Sequence, residues 1–492
     1  MAARIIVHGH FYQPPREDPW TGIIDEQPSA APFHDWNARV HAESYAPNAR
    51  AEITIDEKKT FVNNFERISY NVGPTLLGWM KNADPQTYDR IVEADRRSLS
   101  SSGFGNALAQ AFHHTILPLS SPRDARTEIL WGKADFRHRF GREPMGMWLP
   151  ETACNDTVLG LLIDEEIRFT ILAPSQASRW RAIGEETWTE ASEGSIETRR
   201  PYRYLHPDGS GKSLILFFYD ADIARAVAFE RGASSADAFL ELFEAKGVEQ
   251  SVVHTATDGE TYGHHHKFSE LALAHALFET APERSIETTS YEGWLASADV
   301  DHEVDIVGGE GSSWSCAHGV GRWSRDCGCS TGGEPGWNQQ WRAPLRAALE
   351  IAKSAADRTF ASQGHALLHD PWAARDDYVS VVIGARPLDE FLATHAIGGD
   401  PSDATRAEAL LELQRNAMAM FTSCGWFFND IGGIETVQIL RYAARVFDLL
   451  QQLDGMQPMP EFLSALKQAQ SNDPDIGTGA DVFQQIVAKR NL

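Results

Sequence analysis

Two carboxylates stand where strand-like runs stop. Residues 143–151 read EPMGMWLPE, in which methionine, tryptophan and leucine between prolines suit a short interior strand with Glu151 emerging at its end. Residues 251–258 read SVVHTATD; Val252, His254, Ala256 and Asp258 share one side of a strand, and Asp258 closes it ahead of Gly259. In α/β barrels, reactive groups gather where strands finish and loops begin. A carboxylate pair placed in this way suits one chemistry in particular. Glu151, ionised, attacks a sugar carbon as nucleophile, while Asp258, kept protonated, donates to the leaving oxygen. The plainer reading of Asp258 is a turn-forming aspartate before glycine.

The elements that must position these groups alternate along the first three hundred residues. Strand-like runs RIIVHGH, SLSSSGFG, PMGMWLP, RFTILAP, SLILFFYD, SVVHTATD and EVDIVGG are separated by helical segments, the pattern of an α/β fold with a largely parallel sheet or barrel. In the first run His8 and His10 are two apart, so a strand presents both imidazoles on one face. Residues 1–307 are read as a catalytic barrel. Residues 308–337, crowded with glycine, serine, cysteine and tryptophan, are read as a long loop at the cleft. Residues 338–492 are read as a helical domain. Leu410, Leu413, Ala417 and Phe421 follow helical spacing there, as do Val437, Leu440, Ala444 and Phe447.

Composition narrows the partners. With 44 basic and 69 acidic residues the 492-residue chain carries a formal charge of −25, which repels phosphate backbones and anionic lipid. No nucleic acid and no membrane partner are expected, and no window approaches a membrane-spanning length. The N-terminal apolar run is too short for a secretion signal, and five cysteines are sparse and odd in number, so a reducing, cytoplasmic setting is expected. Composition says nothing of oligomeric state.

Taken together, HGHFYQPP, GNALAQAFHHTILPL, MWLPE and TATDGETYGHHH resemble the motifs of glycoside hydrolase family 57. Members of that family carry an N-terminal histidine motif with a QP, a second histidine motif, a WLxE and a later DGExxGH, in this order. SSWSCAHGVGRW and TSCGWFFND look like signatures of a branch with an extended helical C-terminal half. The resemblance implies a distorted (β/α)7 barrel followed by a helical bundle domain, with retention of configuration on α-glucans. It makes Glu151 the nucleophile and Asp258 the acid/base, with carboxyl groups about 5 to 5.5 Å apart. It also places His10, Gln13, His114, Trp148 and His264 around the sugar. Trp314 and Trp426 are further candidates, because an indole face suits the C–H face of a pyranose, and Asp430 accompanies Trp426 as a possible cleft residue.

The implied partner is an α-glucan or maltooligosaccharide, handled by an amylase, 4-α-glucanotransferase or branching type of enzyme. His265 and His266 stand where relatives often carry an aromatic after GH, which leaves hydrolysis and transfer open. Two other readings keep the barrel: a silent sugar-binding or regulatory protein, and an α-galactosidase-like specificity. No cofactor and no metal are expected. Cys316, His318, Cys327 and Cys329 are four potential zinc ligands, but Cys-x-His and Cys-x-Cys bring them unusually close for a standard signature. DGSGKSL at 208–214 imitates a phosphate loop but precedes a strand, so it reads as a hairpin turn.

Overall fold

Strands that are apolar on both sides make a sheet that must be covered on both faces, and the chain uses them in that way. The computed structural model describes residues 3–55, 57–191, 195–247, 251–398 and 400–490. Seven strands form the centre of the first half: β1 (Ala3–Phe11), β2 (Ser69–Val72), β3 (Ala109–Gln110), β4 (Met147–Trp148), β5 (Phe169–Leu172), β6 (Ser213–Phe218) and β7 (Val252–Asp258). They close into a ring. β1 lies parallel to β7 and to β2, with His10 opposite both Asp258 and Asn71. β2 reaches β3 through the Tyr70–Ala107 bridge, β3 pairs with β4, and β4 reaches β5 through the Gly146–Phe169 bridge. β5 pairs with β6, and the amide of Asp220 donates to the carbonyl of His254 at 2.9 Å to join β6 to β7. Several of these links are one or two residues long, so the barrel is a distorted one.

Ile5, Ile6 and Val7 of β1 are buried, each contributing about 1.5–3 kcal/mol on removal from water. Beyond β6 the sheet runs outward through Tyr202–Leu205, His302–Ile306, Ala177–Ala182 and Thr189–Glu190. The run EVDIVGG therefore forms a strand of this arm, antiparallel to Ala177–Ala182, and takes no part in the barrel. Tyr202–Leu205 and Ser213–Phe218 make the hairpin read from DGSGKSL. One expected strand is a helix: SLSSSGFG supplies the end of Pro85–Ser102, where Ser100 and Ser102 hydroxyls donate to carbonyls four residues back. A serine can satisfy its hydroxyl inside a helix in this way, so a serine run does not exclude one.

By contacts the chain divides into two compact units. The first is Met1–Gln13, Glu26–Gln110 and Phe136–Gly309; the second is Pro14–Asp25, Ala111–Asp135 and Glu310–Leu492. The second unit is a bundle of long helices, among them Arg342–Leu367, Pro401–Ala419 and Ile434–Gln452, whose apolar stripes are buried as their spacing requires. Specific polar ties explain why two early segments belong with it. Arg375 meets the Asp124 carboxylate at 2.6 Å and Lys353 meets it at 3.0 Å. Burial opposes ionisation of Asp124, but the two cations outweigh it and hold the carboxyl down at about 2. Trp20 donates to Asp448 at 2.8 Å and Gln438 to the Glu17 carbonyl at 2.8 Å, fastening residues 14–25. No helix among the described residues is long and apolar enough to cross a membrane.

Candidate active site

Glu151 sits on a backbone that only strong local constraints would hold. β4 ends at Trp148, Pro150 opens a single tight turn, and Glu151 and Thr152 both take positive φ, 58° and 50°. For residues with a Cβ this costs about 1–3 kcal/mol each, and such strain concentrates at functional positions. The buried Gln176 provides the restraint. Its Nε2 donates to the Thr152 carbonyl at 2.8 Å, while its Oε1 accepts from the Thr152 hydroxyl at 2.8 Å and from the Ala173 amide at 2.9 Å. The clamp leaves the half-buried Glu151 side chain at the end of the strand.

On β1, the two histidines are fixed in place by one asparagine. Asn71 accepts from His8 Nε2 at 3.1 Å and donates to His10 Nδ1 at 2.9 Å and to Gln110 at 2.6 Å. This assignment puts the His10 proton on Nε2. Burial lowers both imidazoles to about 3, so they stay neutral at working pH. Both rings stack on Trp148, with centroids 4.8 and 5.1 Å away. Trp148 is fully buried, so it supports the histidines and offers no face to a sugar. Gln13, half-buried, follows Tyr12, whose ring stacks on His10.

Asp258 closes β7 directly opposite His10. It is exposed to solvent, although protein atoms crowd around it. Burial is the largest influence raising its proton affinity well above the usual carboxylate range, followed by the negative charges of Glu260 and Glu151. Glu151 and Asp258 are thus electrostatic neighbours, one raising the other. Burial, and after it the negative charge of Asp258, raise the Tyr219 phenol well above its ordinary value, so that hydroxyl keeps its proton. The turn after β7 depends on Gly259, where a Cβ would stand 2.3 Å from the Phe11 ring.

Glu260 is the residue the sequence reading passed over. It is buried, accepts from the Tyr45 hydroxyl at 2.5 Å and from the Tyr12 amide at 3.0 Å, and burial pushes it up to about 7 against those bonds. A carboxylate following Asp-Gly looks like turn solvation; the clue was its place inside the DGExxGH match. Since its folded-state pKa lies above the ordinary 4.5, the folded chain keeps a proton that the unfolded chain gives up. Stability is therefore lost as pH rises through the window from 4.5 to about 7, by ~3 kcal/mol in all. Glu260→Gln is expected to melt at the wild-type temperature near pH 4 and above it near pH 8. A melting difference independent of pH, measured by calorimetry, would contradict this.

The remaining candidates separate. His264 Nδ1 is held by the Glu43 carboxylate at 2.5 Å, whereas His266 Nε2 donates to the Ala228 carbonyl at 2.8 Å. The three consecutive histidines therefore do not converge. His114 belongs to the second unit, with positive φ of 56° and its Nδ1 2.6 Å from the Ser423 hydroxyl. Trp314, half-buried, also lies in that unit. Trp426 corrects the sugar-platform expectation: it is fully buried, donates to the Arg342 carbonyl at 3.2 Å and stacks on Phe421, so it is core. Asp430 is likewise occupied, accepting from Ser471, Gly432 and the Asn472 amide.

The first unit is thus a distorted seven-stranded parallel barrel with two carboxylates at its strand ends. Residues 29–301 match Glycosyl hydrolase family 57, and the chain belongs to that family. Residues 337–492 match a domain of unknown function, DUF3536. No curated protein matches the chain. Among solved structures, the chain is similar to an exo-type maltose-forming amylase from Pyrococcus sp. ST04, at 15% identity and TM-score 0.64, covering 99% of this chain and 92% of that one. It is also similar to a branching enzyme from Thermococcus kodakaraensis, at 16% identity and TM-score 0.57 over 100% and 95%. An α-amylase from Thermotoga maritima gives 13% identity and TM-score 0.55 over 98% and 99%. These likenesses establish the fold.

Proposed function

We propose that the protein is a retaining enzyme of α-linked glucose polymers or oligosaccharides, a hydrolase or glucanotransferase, with Glu151 as nucleophile and Asp258 as acid/base. The observation that carries this reading is the placement of both carboxylates at strand ends of one barrel, Glu151 just past β4 and Asp258 closing β7, where the charge of Glu151 helps raise the proton affinity of Asp258. The amylase and branching activities named for the similar structures support the substrate class.

Chemistry follows from that coupling. Protonated Asp258 gives its proton to the glycosidic oxygen as Glu151 forms an ester bond to the anomeric carbon. Once esterified, Glu151 no longer bears charge, and its repulsion of the Asp258 carboxylate disappears. Asp258 then becomes the easier group to hold ionised, as a base must be. It takes a proton from water or from a sugar hydroxyl, the resulting oxygen attacks the anomeric carbon, and Glu151 leaves as carboxylate. His10, neutral and tied to Asn71, stands opposite Asp258, and Tyr219 keeps its proton near the acid/base.

The reading is tested by incubating the full chain with maltooligosaccharides, amylose and amylopectin and separating the products. Shorter chains signify hydrolysis; redistributed lengths or new branch points signify transfer. An unchanged length distribution on every glucan would instead identify a binding protein.

A further inference from the structure

The segment between Ser312 and Gly336 contains a cluster of side chains that glycosyl transfer does not use. Cys316, His318, Cys327 and Cys329 each offer one ligand atom, and these atoms all lie within 4.8 Å of one another. Cys316 Sγ is 3.8 Å from Cys327 Sγ, and Cys329 Sγ is 3.5 Å from His318 Nδ1. Zinc–sulfur bonds of about 2.3 Å and zinc–nitrogen bonds of about 2.0–2.1 Å give tetrahedral edges of about 3.8 Å between sulfurs and about 3.5 Å between sulfur and nitrogen. The Cys316–Cys327 and Cys329–His318 distances match these two edges. A disulfide would require the sulfurs at about 2.05 Å.

We propose that Cys316, His318, Cys327 and Cys329 bind one zinc ion in a closed tetrahedral Cys3His site that fixes this loop. Four protein ligands leave no open position, so the role is structural.

The surroundings support a thiolate centre. Backbone amides of His318 and Arg322 donate to the Cys316 sulfur and that of Ala317 to the Cys329 sulfur. Such outer contacts orient ligands and stabilise their charge. Three thiolates and a neutral imidazole around Zn2+ leave one net negative charge, and three protons go to solvent on binding. Arg342 donates to the Cys329 carbonyl at 2.8 Å, tying the loop to the first turn of helix Arg342–Leu367.

The close spacing that argued against a metal has a backbone solution. Gly328, between the last two cysteines, takes φ of +80°, which turns the chain so that its neighbours converge rather than alternate. A side chain there would be strained.

The test is metal analysis of the full chain, expressed with zinc present and dialysed against a weak chelator. About one zinc per chain is expected, falling at least tenfold in Cys327→Ser/Cys329→Ser. Because that variant could misfold, the wild-type protein is also titrated with a mercurial thiol reagent, which should release the zinc in step with thiol modification. Cobalt substitution should give the visible bands of a tetrahedral, sulfur-rich site. Folded wild-type protein that carries no zinc, or whose four cysteine and histidine side chains react identically with and without chelator, would overturn the proposal. So would a Cys316–Cys327 disulfide in protein prepared under reducing conditions.

Discussion

Glu151→Gln is expected to lower turnover of an α-glucan by at least about a thousandfold, ~4 kcal/mol of transition-state stabilisation. An amide cannot form the ester intermediate, so both half-reactions are lost together. The loss should fall on kcat, with sugar binding nearly intact, because the neutral His10 and its Asn71 partner remain in place. The fold should survive, since Thr152 and Gln176 clamp this turn. Added azide, a small anion able to enter beside a shortened variant, Glu151→Ala, should restore partial turnover and give a product of inverted configuration. Steady-state kinetics of the purified variants check both points.

Asp258→Asn is expected to cost about a hundred- to ten-thousandfold, and the cost should depend on the leaving group. A natural glucan needs its oxygen protonated; a glycosyl fluoride does not, so the first half-reaction with the fluoride should be nearly spared. The pH profile supplies a second check. Burial, Glu260 and Glu151 hold Asp258 protonated well above the usual carboxylate range. Glucan cleavage should therefore persist toward neutral pH and be lost as pH rises through the Asp258 pKa. Glu260→Gln removes one repelling charge, so that limb should move toward acid. A limb that stays put or moves toward base would show that another group titrates.

Legibility in the sequence followed how much of each signal was local. β1 and β7 were readable because a near-continuous apolar run with polar groups at every second place has few other solutions, and Pro401–Ala419 and Ile434–Gln452 because their apolar stripes repeat at helical spacing. β2 and β3 were missed, and the barrel cannot close without them. β2 carries Ser69 and Asn71 because it delivers polar side chains to the histidines, and β3 is two residues long, so neither has a hydrophobic period to find. Position of the two carboxylates at strand ends was readable, whereas Gln176, which restrains Glu151, lies in a separate short turn and becomes a neighbour only through folding. Tryptophan type does not distinguish a platform from a core, which is why Trp426 misled. Cysteine spacing likewise concealed that Cys316, His318, Cys327 and Cys329 come together, because one left-handed glycine changes what a spacing of two can reach.

The central claim is that a sugar becomes bonded to Glu151 during turnover. The direct measurement is to trap that species with a fluorinated, activated α-glucosyl donor that forms the intermediate quickly and releases it slowly, and to map the adduct by peptide mass spectrometry. One glycosyl unit per chain, attached to Glu151 and discharged on adding maltose, is the predicted result. Attachment at any other carboxylate, or turnover that yields a β-configured product with no adduct, would contradict it.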